Sequence, residues 1–248
     1  MGRISRHRLG AVGLALIGLG AVGVQIALDQ RTLRSESPAA RGPAPDVAAL
    51  VARGDEAVPD IVAALGDDRT RSRAVVALST FDAKIVPALV RGLASADPDA
   101  RRAAAALLAR FAPDVDAAIP ALTQLVRDPN PWVRAEAVRT LAKLGPAAAT
   151  SVPTLAASLL DDPPLRADAL GALRAMGPDA GAAVPSLVRL LQTTASGLRV
   201  LTVQTLGAIG PAAAAAVPSL QAAADDRDGT LRDAAKAALE KIAPSGTP

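Results

Sequence analysis

The chain has no cysteine, so it carries no disulfide and no thiolate to bind a metal or attack a substrate, and it leaves its redox compartment open. Its one histidine, His7, stands among Arg3, Arg6 and Arg8. Without Cys or a usable His, the common nucleophile–base pairs are unavailable and metal catalysis lacks clustered ligands. No glycine-rich phosphate loop occurs. Neither an enzyme activity nor a cofactor, metal or small-molecule ligand is expected on these grounds. Aromatic residues are nearly absent: there is no tyrosine, and Phe81, Phe111 and Trp132 are all there are. The core must then be built from Leu, Val, Ile and Ala, and Ala-rich faces let helices approach to the lower end of roughly 8–10 Å. Excess charge is also missing. The formal net charge is +3, but removing the three arginines of residues 1–28 leaves 24 Lys+Arg against 24 Asp+Glu. A nucleic-acid binder ordinarily has a basic excess for phosphate contacts, so no nucleic-acid partner is expected.

What the chain does have is repetition. A β-branched residue followed by proline recurs at Val58-Pro59, Val86-Pro87, Ile119-Pro120, Val152-Pro153, Val184-Pro185 and Val217-Pro218, the prolines lying 28, 33, 33, 32 and 33 residues apart. Three residues after the β-branched position comes an apolar residue each time: Ile61, Leu89, Leu122, Leu155, Leu187 and Leu220. That spacing gives each first helix one buried face. An arginine opens each second helix: Arg71, Arg101, Arg134, Arg166, Arg199 and Arg232. Counting from the proline would choose Arg73 in the first repeat, but the apolar pattern Ala74, Val75, Leu78, Phe81 selects Arg71. Asp stands eight residues after the proline at Asp67, Asp128, Asp161 and Asp226, replaced by Ser95 and Thr193 in repeats two and five. Gly145-Pro146, Gly177-Pro178 and Gly210-Pro211 join repeats, with Ala112-Pro113 and Ala243-Pro244 as variants. Glycine can end a helix in the left-handed conformation and proline can open the next. The Ala-rich residues that follow are expected to form an extra helical turn, bent at the Val-Pro proline. One such helix–turn–helix unit has too little apolar surface to fold alone, so the units must stack.

These markers resemble HEAT repeats, particularly the short bacterial HEAT-like type also seen in phycobilisome chromophore lyases. The resemblance covers about Asp46 to Pro244. It implies an all-α fold: a right-handed α-solenoid of about six helical hairpins, second helices on a concave face, and a ladder between the Asp and Arg of neighbouring repeats. The ladder is in doubt where repeats two and five lack the Asp. A short helix from Asp46 reads as the remnant of a preceding repeat at one open end. At the other end, Lys236 replaces the Ala105, Val138, Leu170 and Val203 of earlier repeats, which suits an outer face with no repeat to cover it.

The domains expected are a basic region and membrane-spanning helix (1–28), a Pro-rich linker (29–45), the repeat array (46–244) and a tail (245–248). Leu9 to Leu28 is a twenty-residue run whose only strongly polar member is Gln25. Twenty helical residues span roughly 30 Å, the thickness of the hydrocarbon core. A cleaved signal peptide has a shorter apolar region, of about 7–15 residues. Length therefore favours a single-pass anchor, although Ala21-Val22-Gly23 would serve for cleavage into a secreted or periplasmic product. Basic residues before the span put the N-terminus in the cytoplasm and the repeats outside it.

For a function, the expected reading is a non-enzymatic scaffold or adaptor that binds a protein or peptide along the stacked repeats. The competing reading, carried only by the resemblance, is a chromophore-lyase-like enzyme or enzyme subunit. Residues of the second helices turned away from the apolar row are the binding candidates: Arg102, Arg110, Arg139 and Lys143, with Glu136, and Asp168, Gln204 and Thr205 further on. Trp132 stands out because tryptophan is enriched at binding hot spots and no other repeat has an aromatic there. The carboxylate pairs Asp67-Asp68, Asp161-Asp162 and Asp225-Asp226 fall at the turns, where they cap and turn the chain rather than catalyse.

Overall fold

The computed structural model describes residues 43–112, 115–193 and 196–243. The chain enters through α1 (Val47–Ala52). Asp46 caps this helix by accepting from the Ala48 and Ala49 amides at 3.1 and 3.2 Å, and Gly54 ends the segment with φ +69°. Six hairpins follow: α2 (Val58–Ala63) with α3 (Arg71–Leu78), α4 (Val86–Gly92) with α5 (Pro98–Leu108), α6 (Ile119–Leu125) with α7 (Pro131–Leu144), α8 (Val152–Asp161) with α9 (Arg166–Met176), α10 (Val184–Thr193) with α11 (Ser196–Ile209), and α12 (Val217–Ala224) with α13 (Gly229–Ile242).

The packing is that of an α-solenoid in two layers. Each second helix lies against the second helix of the next hairpin, from α3 through α5, α7, α9 and α11 to α13, while first helices such as α2 and α4, or α8 and α10, pack beside one another. Helix α1 rests on α2 and α3. The core runs unbroken between the layers. Ile61, Leu89, Leu122, Leu155, Leu187 and Leu220 are fully buried, one per first helix. Three residues after each opening arginine a small residue is fully buried too: Ala74, Ala104, Ala137, Ala169, Thr202 and Ala235. Small side chains at this position let the layers approach closely. No hairpin encloses this core alone, so each depends on its neighbours for burial.

The joints differ from the expectation. Gly145, Gly177 and Gly210 have φ of +55°, +59° and +67°, which ends the preceding helix. The residues after them form 3-10 turns, Gly145–Ser151, Gly177–Ala183 and Gly210–Ala216, rather than a bent turn of α-helix. Where these segments bend, they do so at the buried Ala148 and Ala213, with ψ of +16° and +18°, and not at Pro153 or Pro218. Those prolines occupy the opening turn of α8 and α12, where an amide proton has no helical acceptor, so they start a helix without kinking one.

The anticipated span Leu9–Leu28, the linker up to residue 42, and the tail from 244 lie outside the described residues. Among the described residues, one stretch, Gly197–Ala224, is long and apolar enough to cross a membrane, with mean hydropathy 1.6. Half of it is buried in the array and Gly210 breaks it, so its apolarity is that of the repeat core.

Candidate binding surface

Four of the hairpin turns share a construction that sets the first residues of the second helix. Eight residues after the proline, a short polar side chain accepts an amide two residues on: Asp67 from Arg69 (2.9 Å), Ser95 from Asp97 (3.2 Å), Asp128 from Asn130 (2.8 Å) and Asp226 from Asp228 (3.0 Å). In repeats two, three and six the residue so positioned then caps the second helix. Asp97 accepts from Asp99 and Ala100, Asn130 from Trp132 and Val133, and Asp228 from Thr230 and Leu231. Serine can make the turn because a hydroxyl oxygen accepts as a carboxylate does.

The opening arginine clamps its own turn and reaches for the next. Arg101 donates to the Ser95 carbonyl at 2.7 Å and grips Asp128 of the following repeat through two bonds of 2.7 and 2.9 Å. Both side chains are largely withdrawn from solvent, at 13% and 4% exposure, so this rung is strengthened by its low-dielectric surroundings. Arg199 lies 2.9 Å from Asp226, whose carboxyl is held below its ordinary value first by the Asp228 amide and then by Arg199. Arg71 donates to the Leu65 carbonyl at 2.8 Å and lies 3.4 Å from Asp97 and 3.3 Å from Asp99, acids that stand in for the one missing at Ser95.

Three ladder positions depart from the expected pairing. Arg134 meets Asp162, with Nε 2.7 Å from Oδ2, and not Asp161, which ends α8 on the exposed side. The contact is one of charge, because the Nε–H is not aligned with the oxygen. Arg166 donates to the Leu159 and Leu160 carbonyls and has no carboxylate partner among the described residues, Thr193 standing where the acid would be. Asp67 turns to Arg69 of its own repeat at 2.6 and 3.0 Å, since α1 offers no arginine, and this hydrogen bonding holds its carboxyl well below the usual range. At the far end Arg232 donates to the Asp226 carbonyl of its own turn, at 3.2 Å. Arg73, the alternative in the first repeat, is exposed.

On the outer side of α7, Trp132 is 67% exposed. It lines a groove of about 310 Å³ with Pro131, Arg139, Pro164, Leu165 and Asp168, between α7 and the start of α9. Arg139 bonds Glu136 at 2.8 Å, which raises its guanidinium pKa, and lies 3.9 Å from Asp168. Arg102 pairs with Asp99 at 3.2 Å, and Lys143 is exposed. Arg110 donates to the Ser79 carbonyl at 3.0 Å, so it closes the end of α3 from the neighbouring repeat as well as facing solvent.

Thr205 does not face solvent. It is buried, and its one O–H lies between the Leu201 and Leu170 carbonyls at 2.8 and 3.3 Å, as that of Thr140 lies between Glu136 and Ala105 at 2.9 and 3.0 Å, which links α11 to α9 and α7 to α5. Helical spacing alone put Thr205 beside Gln204 and gave no sign of this. Sequence reading also missed a second, apolar groove of about 530 Å³ where Val47, Val51 and Val76 meet at the α1 end.

Residues 86–174 match the family described as HEAT repeats. That match covers about a third of the chain, and the hairpins before and after it continue the same stack, so the class defined is an α-solenoid whose central repeats are similar to HEAT repeats. The chain is similar to an engineered protein of known structure, with 26% identity, a TM-score of 0.54, and coverage of 80% of this chain and 96% of that one. It is also similar in fold to a computationally designed armadillo repeat protein for modular peptide recognition, at 20% identity and a TM-score of 0.57, covering 75% of this chain and 99% of the other. The phycocyanin lyase complex from Nostoc matches at 20% identity over 86% of this chain and 93% of that one, with a TM-score of 0.39, too low to rest anything on. Among curated proteins, none matches.

Proposed function

We propose that this protein is a non-enzymatic scaffold, held at a membrane by Leu9–Leu28, that binds a partner protein or peptide along a concave face of second helices outside the cytoplasm. The observation that carries the reading is the alignment of α5, α7 and α9 as consecutive packed helices, whose outward side presents Arg102, Arg139, Lys143 and the exposed Trp132 beside a groove. Stacked repeats make extended surfaces of this kind, and an exposed tryptophan over a groove is the sort of anchor on which binding energy concentrates. A designed armadillo protein for peptide recognition shares the fold, which fits a peptide or protein partner. The basic flank Arg3, Arg6 and Arg8 before the apolar run sets the orientation.

The test is affinity capture of the full-length chain from host membranes, wild type against Trp132→Ala, with partners identified by mass spectrometry. A protein retained by the first and lost by the second supports the scaffold and places its contact at α7. If neither form retains a reproducible partner, the scaffold reading fails.

A further inference from the structure

The outward side of the second-helix row is uneven in charge. On α3, α5 and α7 it exposes Arg73, Arg102 and Lys143, with Arg110 in the turn that follows α5. Arg102 is half offset by Asp99, and Arg110 gives one N–H to a carbonyl, which leaves its charge in place. Arg73 and Lys143 have no ion-pair partner among the described residues. The nearby acids do not offset the other cations, because Glu136 and Asp168 are both turned to Arg139. Further along, the positions that correspond to Arg102 carry Ala167 and Val200, those that correspond to Lys143 carry Ala175 and Ala208, and those that correspond to Arg73 carry Asp168 and Leu201, while a side chain added at Gly171 would meet open space. Four cations therefore sit on three neighbouring repeats, and beyond them the exposed side of α9 carries one more, Arg174, together with Asp168.

Resting on the scaffold reading, we infer that the outward face of α3, α5 and α7 binds an extended acidic peptide segment. Past residue 28 the chain balances 24 basic against 24 acidic residues, so the basic character is local. A local patch suits a short run of Asp and Glu; a long polyanion such as duplex DNA would need a wider basic surface. The geometry sets the pattern of the segment. Packed helices lie roughly 8–10 Å apart and an extended chain advances about 3.3 Å per residue, so about one residue in three meets successive helices. An acidic residue at every third position would then face Arg73 and Arg102 in turn, and because Lys143 stands in the last turn of α7, a segment that crosses the row obliquely reaches it as well. The lack of side chains at Gly171 and Ala167 leaves room for the segment to continue over α9.

The experiment selects random twelve-residue peptides displayed on phage against the full-length chain. It then measures a fluorescein-labelled peptide with Glu at every third position, by anisotropy, beside labelled duplex DNA. Selected peptides should be acidic. The Glu peptide should lose about tenfold or more in affinity when Arg102→Glu and Lys143→Glu are combined, and should weaken as salt is raised. Lys241→Glu on α13 should leave it unchanged, and circular dichroism melts should match across the variants. Enrichment of peptides of another composition overturns the acidic segment and leaves the scaffold standing. Tighter binding of DNA than of the Glu peptide, lost with the same two reversals, also overturns it. No enriched peptide and no binding of either probe removes the acidic segment, while capture from host membranes decides the scaffold separately.

Discussion

Repeats three to six and repeats one and two are built from the same parts but closed differently. From α7 onward, the joints Gly145, Gly177 and Gly210 put a residue with positive φ at the helix end, and the second helices run 14, 11, 14 and 14 residues. After α3 and α5 no such glycine is present: α3 has 8 residues and α5 has 11, and the half-buried Phe81 and Phe111 stand near the joints instead. A residue with a Cβ adopts positive φ only at a cost, so α3 and α5 end on Ser79 and Ala109 in the right-handed helical region, without the reversal that glycine makes. The lesson is that burial sets the period, while the joint residue sets how the preceding helix is closed. The surface divides elsewhere: the cations Arg73, Arg102, Arg110 and Lys143 lie on the first three repeats, so the charged stretch crosses from the irregular joints into the glycine-closed part.

The ladder offers the sharpest break of this comparison. Arg101→Ala removes a nearly buried two-bond ion pair and leaves Asp128 without its cation, which should cost about 2–3 kcal/mol. Arg166→Ala gives up only carbonyl bonds and should cost about 1 kcal/mol. Denaturant titration measures both, and equal losses would show that the carboxylate adds nothing to the rung. Next in size, Gly177→Ala forces a Cβ into φ +59°, at a cost of about 1–2 kcal/mol. Gly171→Ala, in a helix with open space at its Cβ, should be neutral or slightly stabilising. The smallest effect is that of acid. Asp67 and Asp226 have folded pKa values below the ordinary carboxylate value of about 3.9. Their contribution is complete above that value and is lost as pH falls through the depressed folded values. Thermal melts should be flat from neutral pH to about 5 and decline below about 4, with a shallower decline in Asp226→Asn. A decline that begins near neutrality would assign the transition to other groups.

The proline period and the spacing of Ile61, Leu89, Leu122, Leu155, Leu187 and Leu220 make the helical hairpins legible from sequence, because burial of one face imposes a spacing that recurs. The choice of Arg71 over Arg73 rested on the same core spacing, and Arg71 is the one that reaches the next turn. The acids of the ladder were less legible. Asp161 and Asp162 are neighbours, and which of them meets Arg134 depends on where α8 ends and on the two prolines that follow. Asp97 was hidden behind Ser95 because position in the period and reach in space are different things. Thr205 shows the same limit: helical spacing places a residue on a face, but what that face touches depends on the neighbouring helix.

Sequence by itself determined the class of fold, the number and phase of the hairpins and the absence of cysteine and histidine chemistry from the repeats, since these follow from composition and from apolar spacing within each unit. Tertiary structure decided which carboxylate completes each rung, where the joints bend, and that Trp132, Arg139 and Asp168 share one groove. Those outcomes depend on distances between residues about thirty positions apart, which the stacking of one repeat on the next sets and no local pattern encodes.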